Sequence, residues 1–334
     1  MSGPAYVTSG RYAPPAPART LHAVSADGSR LYVEVHGAEG APAVVLSHGW
    51  TCSTAFWAAQ IRELARDHRV IAYDQRGHGR SPAGGRDYST AGLADDLAAV
   101  LKATLAPGER AVLAGHSMGG MTVMAAAGRP EFAEHAAAAL LCSTGSSGLV
   151  AGATVLPLRA GRARTRMTRA VLGARAPLGP VTPAARAVLR YATMGPGSAP
   201  DRVEACARIV HGCPAPVRHA WSRVLAGLDL DAELGRLTIP TAVIGGRDDR
   251  LTPLAHARRL AAALPHCVGL TELTGAGHMT PVEAPEAVTR AIRELTSRYL
   301  QVDKSGQSRT GNGTGNETGN DTGNETGNEK EKAA

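Results

Sequence analysis

The chain is expected to fold as an α/β protein built on a mostly parallel, eight-stranded sheet flanked by helices. Three observations carry that expectation. Short apolar runs alternate with segments whose apolar residues recur at helical spacing, the pattern of a parallel sheet covered on both faces. Gly115-His116-Ser117-Met118-Gly119-Gly120 follows one such run, Ala111-Val112-Leu113-Ala114, and opens a helical segment. Glycines on both sides of that serine allow a sharp strand-to-helix turn in which backbones pass closely. Between Ser143 and Leu237 the alternation breaks, leaving helical stretches with Pro and Gly interruptions and few strand signals, so one long helical insertion is expected.

The elements follow in order. Residues 21–26 and 30–36 form a hairpin around Asp27-Gly28. A strand over 43–48 leads through a loop to a helix near 54–67, where Trp57, Ile61 and Leu64 share a face. A strand over 69–74 is followed by a helix near 90–105. The strand over 110–116 ends in the serine turn, and the helix over 118–128 stops at Gly128 with Pro130 beyond. A strand over 136–142 precedes the insertion. After it come a strand over 239–244, a helix over 253–264 and a strand over 267–273. A last helix, 285–299, carries Val288, Ile292, Leu295 and Tyr299 on one face. The catalytic groups of such a sheet lie at the carboxyl ends of its strands.

Four motifs end strands. Ser47-His48-Gly49-Trp50 follows Ala43-Val44-Val45-Leu46. Asp74-Gln75-Arg76-Gly77-His78-Gly79-Arg80-Ser81 follows Val70-Ile71-Ala72-Tyr73 and is expected to be structural, with His78 a poorer base than a histidine downstream. Gly245-Gly246-Arg247-Asp248-Asp249-Arg250-Leu251-Thr252-Pro253 supplies an acid after its strand, and Gly275-Ala276-Gly277-His278-Met279 supplies that histidine.

Together these segments resemble the α/β-hydrolase superfamily over roughly residues 20–300, and look most like bacterial esterases and the cofactor-free haloperoxidase (perhydrolase) group. The order Ser, Asp, His is that of this superfamily. The resemblance implies a triad of Ser117, Asp249 and His278, with the N–H groups of Trp50 and Met118 as the oxyanion hole. Asp249 is preferred to Asp248 because the spacing Gly246, Asp249, Pro253 matches family members. No Asp or Glu lies between Glu134 and Asp201, which closes the variant with the acid after the sixth strand.

The implied reaction is hydrolysis of a carboxylic ester, thioester or lactone through an acyl-enzyme, requiring no cofactor and no metal. Perhydrolase chemistry and C–C bond hydrolysis share this triad, and a ligand receptor on the same fold is a rival from another class. Candidate substrate contacts are Trp50, Phe56, Trp57, Met118, Trp221 and Met279; core packing is the alternative for Trp50, Phe56, Trp57 and Met118, and is favoured for Trp221. His116 is expected to be packed or at the pocket edge rather than catalytic, and Cys52, beside the oxyanion loop, is a thiol to note. The expected partner is a small ester-like molecule.

Composition narrows the alternatives. The formal charge is +7, but only four of 36 basic residues are lysine, aromatics make up 4%, and no nucleic-acid-binding motif occurs, so nucleic acid is not an expected partner. Five scattered cysteines make no disulfide framework and suit a reducing cytoplasm. Residues 1–19, rich in Pro, Ala, Gly and Ser, are expected to be flexible and lack the apolar core of a secretory signal. No run is long and apolar enough to span a bilayer.

The expected organisation is a hydrolase core over 20–142 and 238–303, a mainly helical cap over 143–237, and a disordered low-complexity tail over 304–334. Within that tail Thr310 to Glu329 is five copies of Thr-Gly-Asn-x. From Gly148 to Leu228 twelve arginines face only Asp201 and Glu204, leaving the rest of the chain net acidic. Such a field would attract anionic ligands or an acidic membrane surface, unless the arginines are merely compositional. Arg159, Arg162, Arg166 and Arg169 would share one face of a helix whose start Pro157 and Gly161 leave open.

Overall fold

The computed structural model describes residues 6–83 and 88–300. The sheet has eight strands: β1 (Arg19–Val24), β2 (Arg30–His36), β3 (Ala43–Ser47), β4 (Arg69–Tyr73), β5 (Ala111–His116), β6 (Ala136–Cys142), β7 (Thr241–Gly246) and β8 (Cys267–Leu273). Their order is β1-β2-β4-β3-β5-β6-β7-β8. β2 pairs antiparallel with both β1 and β4, and every pairing from β4 onward is parallel. The central strands are buried on both faces, which explains why they read as continuous apolar runs.

Side chains alternate between two cores, as the two-residue period of a strand requires. Val45, Ile71, Leu113 and Leu141 face α2 (Thr90–Thr104) and α3 (Met118–Ala126), meeting Leu93, Leu97, Leu101 and Met124. Val44, Val70, Val112 and Leu140 face the opposite way, toward Ile61 and Leu64 of α1 (Ala58–Leu64) and Ile292 and Leu295 of the last helix.

Several boundaries differ from expectation for local reasons. The helix expected over 54–67 is a tight 3₁₀ turn, Thr54–Trp57, followed by α1. Pro130, read as a stop signal, instead occupies the first turn of a short helix, α4 (Pro130–His135), where its missing N–H costs nothing. β7 starts at Thr241 rather than 239, and the Pro240 carbonyl still accepts from Ala139 N–H at 2.9 Å. The flexible segment expected over 1–19 is corrected for residues 6–18. Tyr12 is buried with its hydroxyl donating to the Val282 carbonyl at 3.1 Å, and Tyr6 donates to Ser53 Oγ at 2.9 Å. Two aromatic rings give this Pro-rich stretch something to bury, which its composition average concealed.

The insertion is helical: α5 (Leu149–Gly152), α6 (Arg162–Leu172), α7 (Pro183–Thr193), α8 (Pro200–His211), α9 (Ala215–Ala226) and α10 (Asp231–Leu234). Its neck is closed by a bridge between Ser147 and Asp229 and by Ser146 and Ser147 donating to the Asp231 carboxylate. Because α6 begins only at Arg162, Arg159 lies outside the helix and leaves the arginine row. The chain returns to the core through β7, α11 (Leu254–Ala263), β8, α12 (Thr280–Glu283) and α13 (Pro285–Tyr299). Among the described residues no helix is long and apolar enough to cross a membrane. The repeat segment of the tail lies outside the described residues.

Candidate active site

Ser117 is the single residue between β5 and α3, with φ 51 and ψ −116. A non-glycine residue held there stores roughly 1–3 kcal/mol of strain, so its surroundings must over-determine it. They do. Its N–H donates to the Cys142 carbonyl at 2.9 Å, and its own carbonyl accepts from Gly120 N–H at 2.9 Å and from Thr144 Oγ1 at 2.7 Å. The flanking glycines are required by contact: a Cβ on Gly115 would strike the Gly119 carbonyl, and one on Gly119 would strike the Ser47 carbonyl. The motif therefore presses the serine turn against the end of β3.

The loop after β3 lies beside that serine; a Cβ on Gly49 would come within 3.1 Å of Ser117 Cβ. Thr51, at φ 64, turns the chain away. Two buried histidines brace the loop. His48 donates from Nδ1 to the Gly49 carbonyl at 2.8 Å and accepts from Gln75 N–H at Nε2, at 3.0 Å. His78 donates from Nδ1 to the Arg76 carbonyl at 3.2 Å and accepts from Thr51 N–H at Nε2, also at 3.2 Å. Burial pushes His48 down to about 3 and His78 down to about 4, in keeping with the neutral tautomers these bonds require. Asp74, raised to about 6 chiefly by burial, accepts from Thr54 and Arg80 N–H groups. The Asp74–Ser81 turn is thus scaffolding. Met118 opens α3, so its N–H has no acceptor within its own helix; Trp50 N–H belongs to the adjoining loop.

Asp249 and His278 meet at the ends of β7 and β8. His278 Nδ1 lies 2.9 Å from Asp249 Oδ2, and because a carboxylate only accepts, Nδ1 carries the proton and Nε2 the lone pair. The carboxylate is held in place by Leu251 and Thr252 N–H groups on Oδ1, both at 2.8 Å, and by Thr252 Oγ1 on Oδ2 at 2.8 Å. Asp248 is only half-buried. Behind His278, His116 donates from Nε2 to its carbonyl at 2.8 Å.

Glu283, which no motif pointed to, accepts from the N–H groups of Gly277 and Met279 and, across the insertion, from Gly195 N–H at 2.6 Å and Ser198 Oγ at 2.8 Å. It clamps the histidine loop to the segment after α7. Nothing in a single sequence marks it, because its partners are backbone groups and one distant serine hydroxyl.

Ser117 and His278 line one cavity of about 400 Å³ between the sheet and the insertion. Trp50 and Met279 are in its wall. Four expected contacts are corrected. Phe56 and Trp57 are buried in the layer facing α13, with Phe56 tilted over His116 at 4.5 Å. Trp221 is buried, donating from Nε1 to the Arg76 carbonyl at 3.3 Å and packing edge-on to Tyr88. The Met118 side chain points into the α2–α3 core. Helix direction, not residue type, turned these large side chains away from the cavity. Its apolar wall comes instead from Met121, Leu149, Val171, Val188 and Leu225, whose role was unreadable until the insertion's helices were placed. Cys52 is buried, and burial beside Cys213 pushes its thiol well up, so it is no reactive thiol. Among the described residues no group of His, Cys, Asp and Glu could hold a metal ion.

Comparison with known proteins agrees with this fold. The profile of the alpha/beta hydrolase fold matches residues 42–285. A protein of Variovorax paradoxus (strain S110) named "Putative carbamate hydrolase RutD" is 33% identical over 273 residues, covering 80% of this chain and 96% of the relative. The 3-oxoadipate enol-lactonase 2 of Acinetobacter baylyi is 27% identical over 279 residues, covering 83% and 96%. Among solved structures, the esterase RhEst1 from Rhodococcus sp. ECU1013 superposes with a TM-score of 0.68 at 26% identity, covering 84% of this chain and 99% of that one. The parallel sheet, the strained serine at the end of its central strand and these relatives lead to one conclusion: the chain belongs to the α/β-hydrolase family and is a hydrolase.

Proposed function

We propose that the protein hydrolyses a carboxylic ester, thioester or lactone with an apolar acyl arm through an acyl-enzyme on Ser117. The observation that carries this is the Asp249–His278 pair, 2.9 Å apart, on the cavity whose wall includes the strained Ser117. His278 Nε2 takes the Ser117 hydroxyl proton as Oγ attacks the carbonyl carbon. Negative charge on the carbonyl oxygen is met by the Trp50 and Met118 N–H groups. The tetrahedral intermediate collapses, the leaving group departs with the proton from His278, and water repeats the sequence on the acyl-enzyme. Asp249 holds the tautomer and stabilises the imidazolium. The mostly apolar wall supports an apolar arm. The relatives' names, an enol-lactonase and a carbamate hydrolase, support a carbonyl carbon bearing a heteroatom leaving group.

A fluorophosphonate probe should label the wild-type protein and fail on Ser117→Ala, with p-nitrophenyl ester turnover falling on the order of 10⁴-fold or more. Labelling or turnover that survives the substitution would refute the assignment.

A further inference from the structure

The cavity containing Ser117 shares Arg169, Ser222 and Ala226 with a second cavity of about 550 Å³, between α6, α9 and the segment joining α6 to α7. The character of the lining changes across that boundary. The second cavity is bounded by Arg169, Arg175, Arg223 and His219. Neither cavity has an Asp or Glu in its wall. Among the described residues, no carboxylate lies within 4.0 Å of Arg169, Arg175 or Arg223, whereas Arg186 and Arg208 of the same insertion both pair with Glu204. The arginines around the second cavity are thus left without a carboxylate, while those paired with Glu204 lie elsewhere in the insertion.

A second observation points the same way. Arg218, in the wall of the first cavity, is buried, and among the described residues its guanidinium bonds only the Ala174 and Ala176 carbonyls. A buried cation costs several kcal/mol unless compensated, and carbonyl dipoles leave its net charge in place. That charge lies in the wall of the first cavity, four residues before Ser222, which both cavities share, and its bonds hold the α6–α7 segment that carries Arg175. His219 donates from Nδ1 to the Gly173 carbonyl at 2.7 Å, leaving Nε2 toward no partner among the described residues.

We propose that the substrate's apolar acyl arm ends in an oxyanion, carboxylate or phosphate-like, seated by Arg169, Arg175 and Arg223 while its carbonyl lies at Ser117. This rests on the ester-hydrolase proposal for Ser117. The apolar stretch between the two ends rejects short polar acids, and arginine's planar donor fork suits either oxyanion.

The test uses the full chain and three p-nitrophenyl esters of matched length: octanoate, the monoester of octanedioate, and the ester of 8-phosphonooctanoate. At low salt kcat/KM for at least one anionic ester should exceed that for octanoate by at least about tenfold, and the advantage should shrink as salt shortens the field. The larger of the two anionic preferences tells carboxylate from phosphate. In Arg175→Gln/Arg223→Gln, two exposed positions, the anionic-to-neutral ratio should fall to about one at an unchanged melting temperature. Octanoate turned over as well as both anionic esters, or a preference that survives the double substitution, would overturn the proposal and leave the hydrolase assignment standing. Absence of turnover on all three esters, together with no fluorophosphonate labelling, would instead remove the hydrolase assignment. Sedimentation with phosphatidylglycerol but not phosphatidylcholine vesicles, without any anionic-ester preference, would reassign the arginines to a membrane surface and overturn the proposal as well.

Discussion

Asp249 and Asp248 are neighbours in sequence with unequal surroundings. Asp249 is buried and accepts from Leu251 N–H, Thr252 N–H, Thr252 Oγ1 and His278 Nδ1. The Asp248 N–H donates to the Ala276 carbonyl at 2.9 Å, while its half-buried carboxylate pairs with no cation among the described residues. Asn at 249 keeps the shape but offers an amide donor that favours the wrong histidine tautomer. Asp249→Asn is therefore expected to lower kcat at least roughly 10³-fold on a p-nitrophenyl ester, and Asp248→Asn only a few-fold. Side-by-side assays check this, and the reverse ranking would move the acid to 248. The spacing to Gly246 and Pro253 already favoured 249 in the sequence. The fates of Phe56, Trp57 and Trp221 were not legible there, since a large ring suits a pocket wall and a core equally well.

At the scale of elements, the insertion is joined to the histidine loop at two places: the His278 N–H donates to the Thr193 carbonyl at 2.8 Å, and Glu283 gathers donors from both sides. It collects N–H donors from the histidine loop and donors from the segment that follows α7, all at a buried site. Glu283→Gln presents an amide N–H₂ to groups that themselves donate. The expected result is a loss of about 2 kcal/mol in stability, the scale of an unsatisfied buried donor. A fall in kcat larger than any change in KM should accompany it, because the residues on either side of His278 lose an acceptor while the substrate wall stays. Glu283→Asp, which keeps the charge, should recover part of both. Denaturant titration and steady-state kinetics test the pair, and an unaltered kcat in Glu283→Gln would reduce the residue to a stability role. The insertion's helical character was readable from its Pro and Gly breaks. Which helix faces reach the cavity was not, because that depends on how α6, α7 and α9 cross one another.

For the whole molecule, the buried histidines behind the active-site loops set a pH limit. Burial lowers His48 to about 3 and His78 to about 4, and holds His116 well below its ordinary value. Each folded-state value lies under the unfolded one near 6.5, so as pH falls from 6.5 toward 4 the unfolded chain binds protons that the folded chain refuses, and stability declines. Asp74, raised to about 6 by burial, acts oppositely between roughly 3.8 and 6, because there the folded chain holds the extra proton. The three histidines outweigh it. The guanidinium midpoint should thus fall between pH 7 and pH 5, with a slope on the order of 1.4 kcal/mol per pH unit for each net proton. A flat or rising profile would mean that the histidines accept protons in the folded state.

What the sequence by itself determined is the frame and the candidate residues placed upon it. Strand order along the chain, the serine elbow, the acid and histidine turns and the position of the insertion all follow from local rules. Apolar period, glycine at a close approach and turn chemistry act over a few residues and are visible in one chain. Tertiary structure alone decided the rest: which aromatic rings are core, that Tyr12 anchors the segment before β1, that Glu283 clamps the histidine loop, and that unpaired arginines gather beside the cavity. Each of these depends on a contact between residues far apart in sequence. Packing chooses such contacts by shape and by the need to satisfy buried polar groups, and neither quantity exists until the helices have been laid against the sheet.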